Sequence, residues 1–128
     1  MRTVFLGSGG FGRSSLRRLA DRDDVDLVAV VTAPPRPAGR KQELTPTRIH
    51  GTADELGIKA ILTPARLRAP ESIADILAYE PELVVIADYG RIVPAGLLAL
   101  PPHGILNVHP SLLPRHRGAA PIPAAILA

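Results

Sequence analysis

The sequence predicts an α/β protein, a Rossmann-like, mainly parallel sheet flanked by helices. Three observations predict it. Short apolar runs alternate with segments whose apolar residues recur at helical spacing, the pattern of parallel strands joined by right-handed crossover helices. Two runs, Val25 to Val31 and Glu82-Leu83-Val84-Val85-Ile86-Ala87, are apolar at nearly every position, as strands covered on both faces are. A glycine-rich turn, Gly7-Ser8-Gly9-Gly10-Phe11-Gly12, stands between the first strand and the first helix.

The elements follow in order. Thr3-Val4-Phe5-Leu6 reads as a first buried strand, and Ser14 to Ala20 as a helix with Leu16 and Leu19 facing in. Asp21 to Asp24 is a polar turn before the second strand, Val25 to Val31. Thr32 to Pro46 reads as a long Pro-rich loop, the one candidate flexible insertion. Thr47 caps a helix running through Glu55-Leu56, which Gly57 closes. Ile58 to Leu62 reads as a third strand and Thr63 to Leu67 as a turn. Pro70 to Leu77 is a helix with Pro in its first turn and Ile73, Ile76 and Leu77 as its inward stripe. Glu82 to Ala87 is a fourth strand, the most central by its apolarity. Pro94 to Leu100 reads as a short helix, Gly104 to Val108 as a last strand and Pro123 to Leu127 as a helix.

Bulk properties narrow the class. The 128 residues suffice for one domain with a real core. With two Phe, two Tyr and no Trp, that core must be Val, Ile, Leu and Ala. There is no Cys, so disulfides and thiolate metal sites are excluded, and the four His lack close ligand spacing, so no metal is expected. No apolar run reaches the roughly 18 residues of a membrane span, and the start lacks a signal-peptide pattern. The chain therefore reads as cytoplasmic, with no membrane partner. A net charge of +3 suits an anionic partner without requiring one.

Chemistry concentrates in Asn107-Val108-His109-Pro110-Ser111-Leu112-Leu113-Pro114-Arg115-His116-Arg117-Gly118. Strand alternation sets Asn107 and His109 on one face, a carboxamide beside an imidazole at a strand's carboxyl end, where open α/β sheets bind ligands. The plainer alternative is a strand end whose Asn and His satisfy a loop backbone. Gly7, Gly9 and Gly12 fit G-x-G-x-x-G, the dinucleotide fingerprint. That fingerprint needs an acid at the end of the second strand, where Thr32, Ala33 and two prolines stand instead. A tight turn is the better reading, and a non-catalytic nucleotide-binding module stays as an alternative. Between Thr32 and Arg48, four cations (Arg36, Arg40, Lys41, Arg48) face the single Glu43. Such a run is either a solvated loop or a phosphate-backbone contact.

Asn107-Val108-His109-Pro110-Ser111-Leu112-Leu113-Pro114 resembles the Asn-x-His-x-Ser-Leu-Leu-Pro signature of the 10-formyltetrahydrofolate-dependent formyltransferases. The extension Arg115 to Ile122 is most similar to the methionyl-tRNA formyltransferases, and Arg36-Pro37-Ala38-Gly39-Arg40 resembles their tRNA-contacting insertion. The resemblance implies a formyltransferase fold, with residues 1–128 as the first part of its catalytic domain. The rest of that domain and a carboxyl-terminal β-barrel would lie outside the chain. It implies formyl transfer from 10-formyltetrahydrofolate to the amino group of initiator methionyl-tRNA, by a protein monomeric at full length. A sugar-nucleotide N-formyltransferase is the alternative within the same chemistry.

The resemblance also assigns roles. Asn107 would supply the amide donor to the developing oxyanion, and His109 would polarise the formyl group or shuttle a proton. Tyr89, Gly90, Arg91 and Ile92, with Ser111, Leu112, Leu113 and Pro114, would form the folate side. Arg36, Arg40, Lys41, Arg115 and Arg117 would face the tRNA. Asp88 and His116 depart from the family's pattern. A third catalytic residue, an Asp orienting the His, would lie beyond Ala128, so residues 1–128 alone are expected to be inactive or nearly so.

Overall fold

The computed structural model describes residues 1–87, Tyr89 and 104–108, with Asn107 described through its backbone. Five parallel strands form the main sheet: β1 (Arg2–Leu6), β2 (Asp26–Val31), β5 (Ile61–Leu62), β6 (Leu83–Ala87) and β7 (Ile105–Val108). Two more, β3 (Arg36–Ala38) and β4 (Glu43–Thr45), make a separate antiparallel ribbon. The helices are α1 (Gly12–Asp21), α2 (Arg48–Glu55) and α3 (Pro70–Leu77).

The sheet order is β5-β2-β1-β6-β7. The chain winds outward from β1 through β2 to β5, then returns to the other side of β1 for β6 and β7. That reversal sets a topological switch point at the carboxyl ends of β1 and β6, the place where such sheets take ligands. β1, not β6, holds the middle of the five strands. Apolarity ranks burial, and both strands are buried, but it does not rank lateral position.

Strand alternation divides the core in two. Phe5, Val30, Val85 and Leu106 pack with Leu16 and Leu19 of α1 and Ile49 and Ala53 of α2. Val4, Leu6, Val31, Val84 and Ile86 pack on the other face with Leu67, Tyr89 and Ile76 of α3. Leu16 and Leu19 thus face in as read; of the α3 stripe, Ile76 is buried, Leu77 packs partly buried against the core and Ile73 is half-buried. α1 begins earlier than its stripe, at Gly12, because Gly12 N–H and Arg13 N–H already bond the carbonyls of Gly9 and Gly10. α3 matches its predicted span, with Pro at its start. α2 is capped by Thr47, whose hydroxyl accepts from His50 N–H at 3.1 Å. It closes at Gly57, with φ of +76°.

Two predicted segments differ. The third strand shrinks from Ile58–Leu62 to Ile61–Leu62, which pair with Val30 and Val31. Edge position leaves it one neighbour among the described strands, too little to order the run before it. The Pro-rich segment is not structureless: Arg36, Pro37 and Ala38 pair with Thr45, Leu44 and Glu43. The helices predicted at Pro94–Leu100 and Pro123–Leu127 lie outside the described residues.

One stability prediction arises here. Gly51 lies inside α2, and a Cβ added there would meet no atom within 4 Å. Gly51→Ala should stabilise the fold by about 0.5–1 kcal/mol through reduced backbone entropy in the unfolded chain. A thermal melt checks this, and an unchanged or lower midpoint would count against it.

Candidate functional site

The carboxyl edge of the sheet is assembled by close backbone approach. A Cβ on Gly7 would lie 2.6 Å from the Ala87 carbonyl oxygen and 2.7 Å from Cε1 of Phe5. A Cβ on Gly12 would lie 2.9 Å from the same carbonyl and 3.1 Å from Cδ1 of Ile49. The glycine pattern therefore lets the turn after β1 press against the end of β6, with α1 starting directly above it. Neither glycine has the positive φ that would give a conformational reason for its presence. At Gly10 a Cβ would meet Nη1 of Arg48 at 3.1 Å, so that guanidinium lies over the turn.

A chain of hydroxyls locks the same edge. Thr32, fully buried at the end of β2, stands where a dinucleotide site needs its acid. Its Oγ1 lies 2.6 Å from Thr47 Oγ1 and donates to Ser8 Oγ at 3.4 Å. Ser8 Oγ also accepts from the Ala33 N–H at 3.0 Å. These bonds join the turn after β1, the exit of β2 and the cap of α2. They fill the ribose-binding corner with self-satisfied hydroxyls, which argues against the nucleotide-module reading. Sequence reasoning missed this network, although an isolated Thr ending an apolar strand, with Thr47 at a helix cap, was its available signal.

The ribbon β3–β4 rises from this rim between Thr32 and Thr47. All six of its strand residues are exposed. Arg36 lies in β3, and Arg40 and Lys41 lie in the connecting turn. The turn is held by Gly39 at φ +76° and Gln42 at φ +53°, whose side-chain amide donates to the Gly39 carbonyl at 2.8 Å. The predicted cations thus project from the carboxyl edge on a formed arm.

β7 brings Asn107 to the same edge: its backbone is in register with Ile86 on β6, one residue before the strand's end at Val108. Tyr89 is buried among Leu67, Ile76 and Ile86, a core position beneath the edge. His109, Gly90, Arg91, Ile92, Ser111, Leu112, Leu113, Pro114, Arg115 and Arg117, with Asp88 and His116, lie outside the described residues.

Among the described residues no group of three metal-ligating side chains occurs, and no helix is long and apolar enough to cross a membrane. Asp24 is held below the usual carboxylate range by hydrogen bonds from Arg22, at 2.8 and 2.7 Å. That pair sits before β2, at the sheet's amino edge, away from the switch point.

The whole chain, residues 1–128, matches the family model described as formyl transferase. The chain belongs to this formyltransferase family. Similar proteins include methionyl-tRNA formyltransferases of Geobacter metallireducens, 47% identical over 93% of the chain, and Xanthomonas campestris pv. campestris, 50% identical over 98%. The chain spans 38% and 40% of their lengths. Similar solved structures include glycinamide ribonucleotide transformylase 1 from Symbiobacterium toebii, with a TM-score of 0.62 and 25% identity. That match covers 93% of this chain and 56% of the other. Phosphoribosylglycinamide formyltransferase from Brucella melitensis gives 0.59 and 27%, covering 92% and 61%. The formyltransferase fold read from the sequence is the fold observed.

Proposed function

We propose that the protein transfers a formyl group from 10-formyltetrahydrofolate to the amino group of initiator methionyl-tRNA, in translation initiation in the cytoplasm. The observation carrying this reading is the cationic ribbon β3–β4 standing beside the switch point at the sheet's carboxyl edge. A small acceptor needs no arm projecting beyond the site, whereas a folded RNA presents phosphates well away from its reacting end. Identity of 43–50% to proteins named methionyl-tRNA formyltransferase supports the same acceptor. The relatives of known structure named above act on a glycinamide ribonucleotide, at much lower identity.

The chemistry is acyl transfer. The neutral amine attacks the formyl carbon, a carbon–nitrogen bond forms, and the formyl oxygen gains negative charge. The donor's carbon–nitrogen bond then breaks and its nitrogen takes a proton. Asn107 stabilises the oxyanion with its amide N–H, and His109 moves the proton between the two nitrogens. Gly90, Arg91 and Ile92 border the folate with Ser111, Leu112, Leu113 and Pro114, and Tyr89 supports them from the core. Arg36, Arg40, Lys41, Arg115 and Arg117 hold tRNA phosphates. The protein acts as a monomer, without a metal.

A formylation assay on the intact protein tests this, with methionyl-tRNA, glycinamide ribonucleotide and an amino-sugar nucleotide as acceptors. The expected product is formyl-methionyl-tRNA alone. Arg40→Ala should raise the KM for tRNA about tenfold and lower the salt dependence of binding by about one unit of slope. Efficient turnover on a small acceptor, with none on the tRNA, would replace the acceptor assigned here.

A further inference from the structure

Among the described residues, the core gives the ribbon β3–β4 no support. None of its strand residues is buried, and none belongs to either core cluster. Leu44, its one large apolar side chain, leaves 71% of its surface in water. The ribbon's direction is therefore set at its two roots. Both roots are stiff. Pro34 and Pro35 follow the buried Thr32 and Ala33 on the way out, and Pro46 precedes Thr47 on the way back. Each proline fixes a backbone torsion and so carries the direction of the root into the arm.

The roots meet in three hydroxyls whose protons can be counted, since each has one to give. Thr32 gives its own to Ser8 Oγ at 3.4 Å, so across the 2.6 Å contact Thr47 is the donor and Thr32 the acceptor. Thr47 Oγ1 also accepts from the His50 N–H at 3.1 Å, and Ser8 Oγ accepts from the Ala33 N–H at 3.0 Å. Thr32 is the central member, bonded to both other hydroxyls. Its backbone is held as well, by the Leu62 carbonyl at 2.9 Å. It is fully buried, so water has no access to replace a lost bond there.

We propose that Thr32 is a positioning residue for acceptor recognition. Its hydroxyl holds the two roots of the ribbon at one angle to the sheet, and that angle sets where Arg40 and Lys41, in the ribbon's turn, stand relative to the switch point. Leverage gives the root its influence. From Ala33 to Gly39 the extended chain covers about 20 Å, so a swing of about 10° at the root moves the tip by about 3 Å. A displacement of that size takes a guanidinium out of hydrogen-bond reach of a phosphate oxygen. For its ligand the inference rests on the tRNA reading above; for the placement of the ribbon it does not.

The test compares the intact protein with Thr32→Val, which keeps the shape and removes the hydroxyl, and Thr32→Ser, which keeps the hydroxyl. In formylation of methionyl-tRNA, Thr32→Val should raise the KM for tRNA about tenfold and leave kcat within about twofold, and Thr32→Ser should restore the KM. Added to Arg40→Ala, Thr32→Val should have less than its single effect, because a contact already removed cannot be misplaced. A second measurement reads the ribbon itself. Spin labels at Lys41→Cys in the turn and Arg18→Cys on α1, both exposed positions, are placed in a background without other cysteines. Thr32→Val should broaden the distance distribution between them, and Thr32→Ser should narrow it again. A lower melting temperature with KM and distances unmoved would overturn the inference and leave Thr32 a stabilising hydroxyl only. So would a fall in kcat as large as the rise in KM, or effects of Thr32→Val and Arg40→Ala that multiply in full. Broadened distances with an unchanged KM in both Thr32→Val and Arg40→Ala would sustain the placement of the ribbon by Thr32 and overturn the tRNA as its ligand.

Discussion

Replacing Asn107 with Ala in the intact protein should slow formyl transfer by about 10² to 10³, the usual loss when one oxyanion donor is removed. The loss should appear in the chemical step. Single-turnover formylation at saturating donor and acceptor would show it, while binding of a folate analogue and of tRNA stays near the parent value. The expectation rests on two things. Transition-state charge on the formyl oxygen is stabilised by a preorganised N–H and poorly by mobile water. And β7 pairs with β6 so that the Asn107 backbone stands in register with Ile86, one step from the edge where Ala87 meets Gly7. A rate within a few-fold of the parent would remove Asn107 from the chemical step.

Gly7→Ala should be the most damaging single methyl in the described fold. The added carbon would fall 2.6 Å from a backbone oxygen and 2.7 Å from a buried aromatic ring, neither of which is the free end of a flexible chain. Either β1 and β6 part at their carboxyl ends or Phe5 shifts in a filled core. Overpacking of this kind costs about 1–3 kcal/mol, which in a domain this size lowers the melting temperature by about 5–10 °C. Activity should fall further than stability does, because the displaced edge is the one that bears the site. A melt within about 1 °C of the parent, with unchanged turnover, would show that the edge accommodates the methyl.

How much of this could be read from the sequence differs by element. α3 could be read to the residue, since Pro70 marks its first turn and its stripe has helical spacing. β2 could be placed but not registered. A shift between Thr3 and Val4 pairs Thr3 with Leu27 but Val4 with Ala29, and an almost wholly apolar strand gives no alternation to betray the extra residue. The ribbon could not be read, because none of its strand residues is buried and its turn depends on a non-glycine, Gln42, at positive φ.

The site divides similarly. Motif and charge single out Asn107, His109 and the ribbon cations as candidates in the sequence. The glycines stand out too, but their pattern alone points as readily to a nucleotide. What separates the readings is the identity of their neighbours, the Ala87 carbonyl and the buried Thr32, and both are brought there from distant parts of the chain by the sheet order.

The short contact between the Thr32 and Thr47 hydroxyls carries one more consequence. It brings the departure and return of the arm together, so the arm is a detachable module whose two ends already meet. Closing so small a gap with a different turn costs little chain entropy. The arm can therefore lengthen, shorten or be exchanged while the strands of the main sheet keep their register.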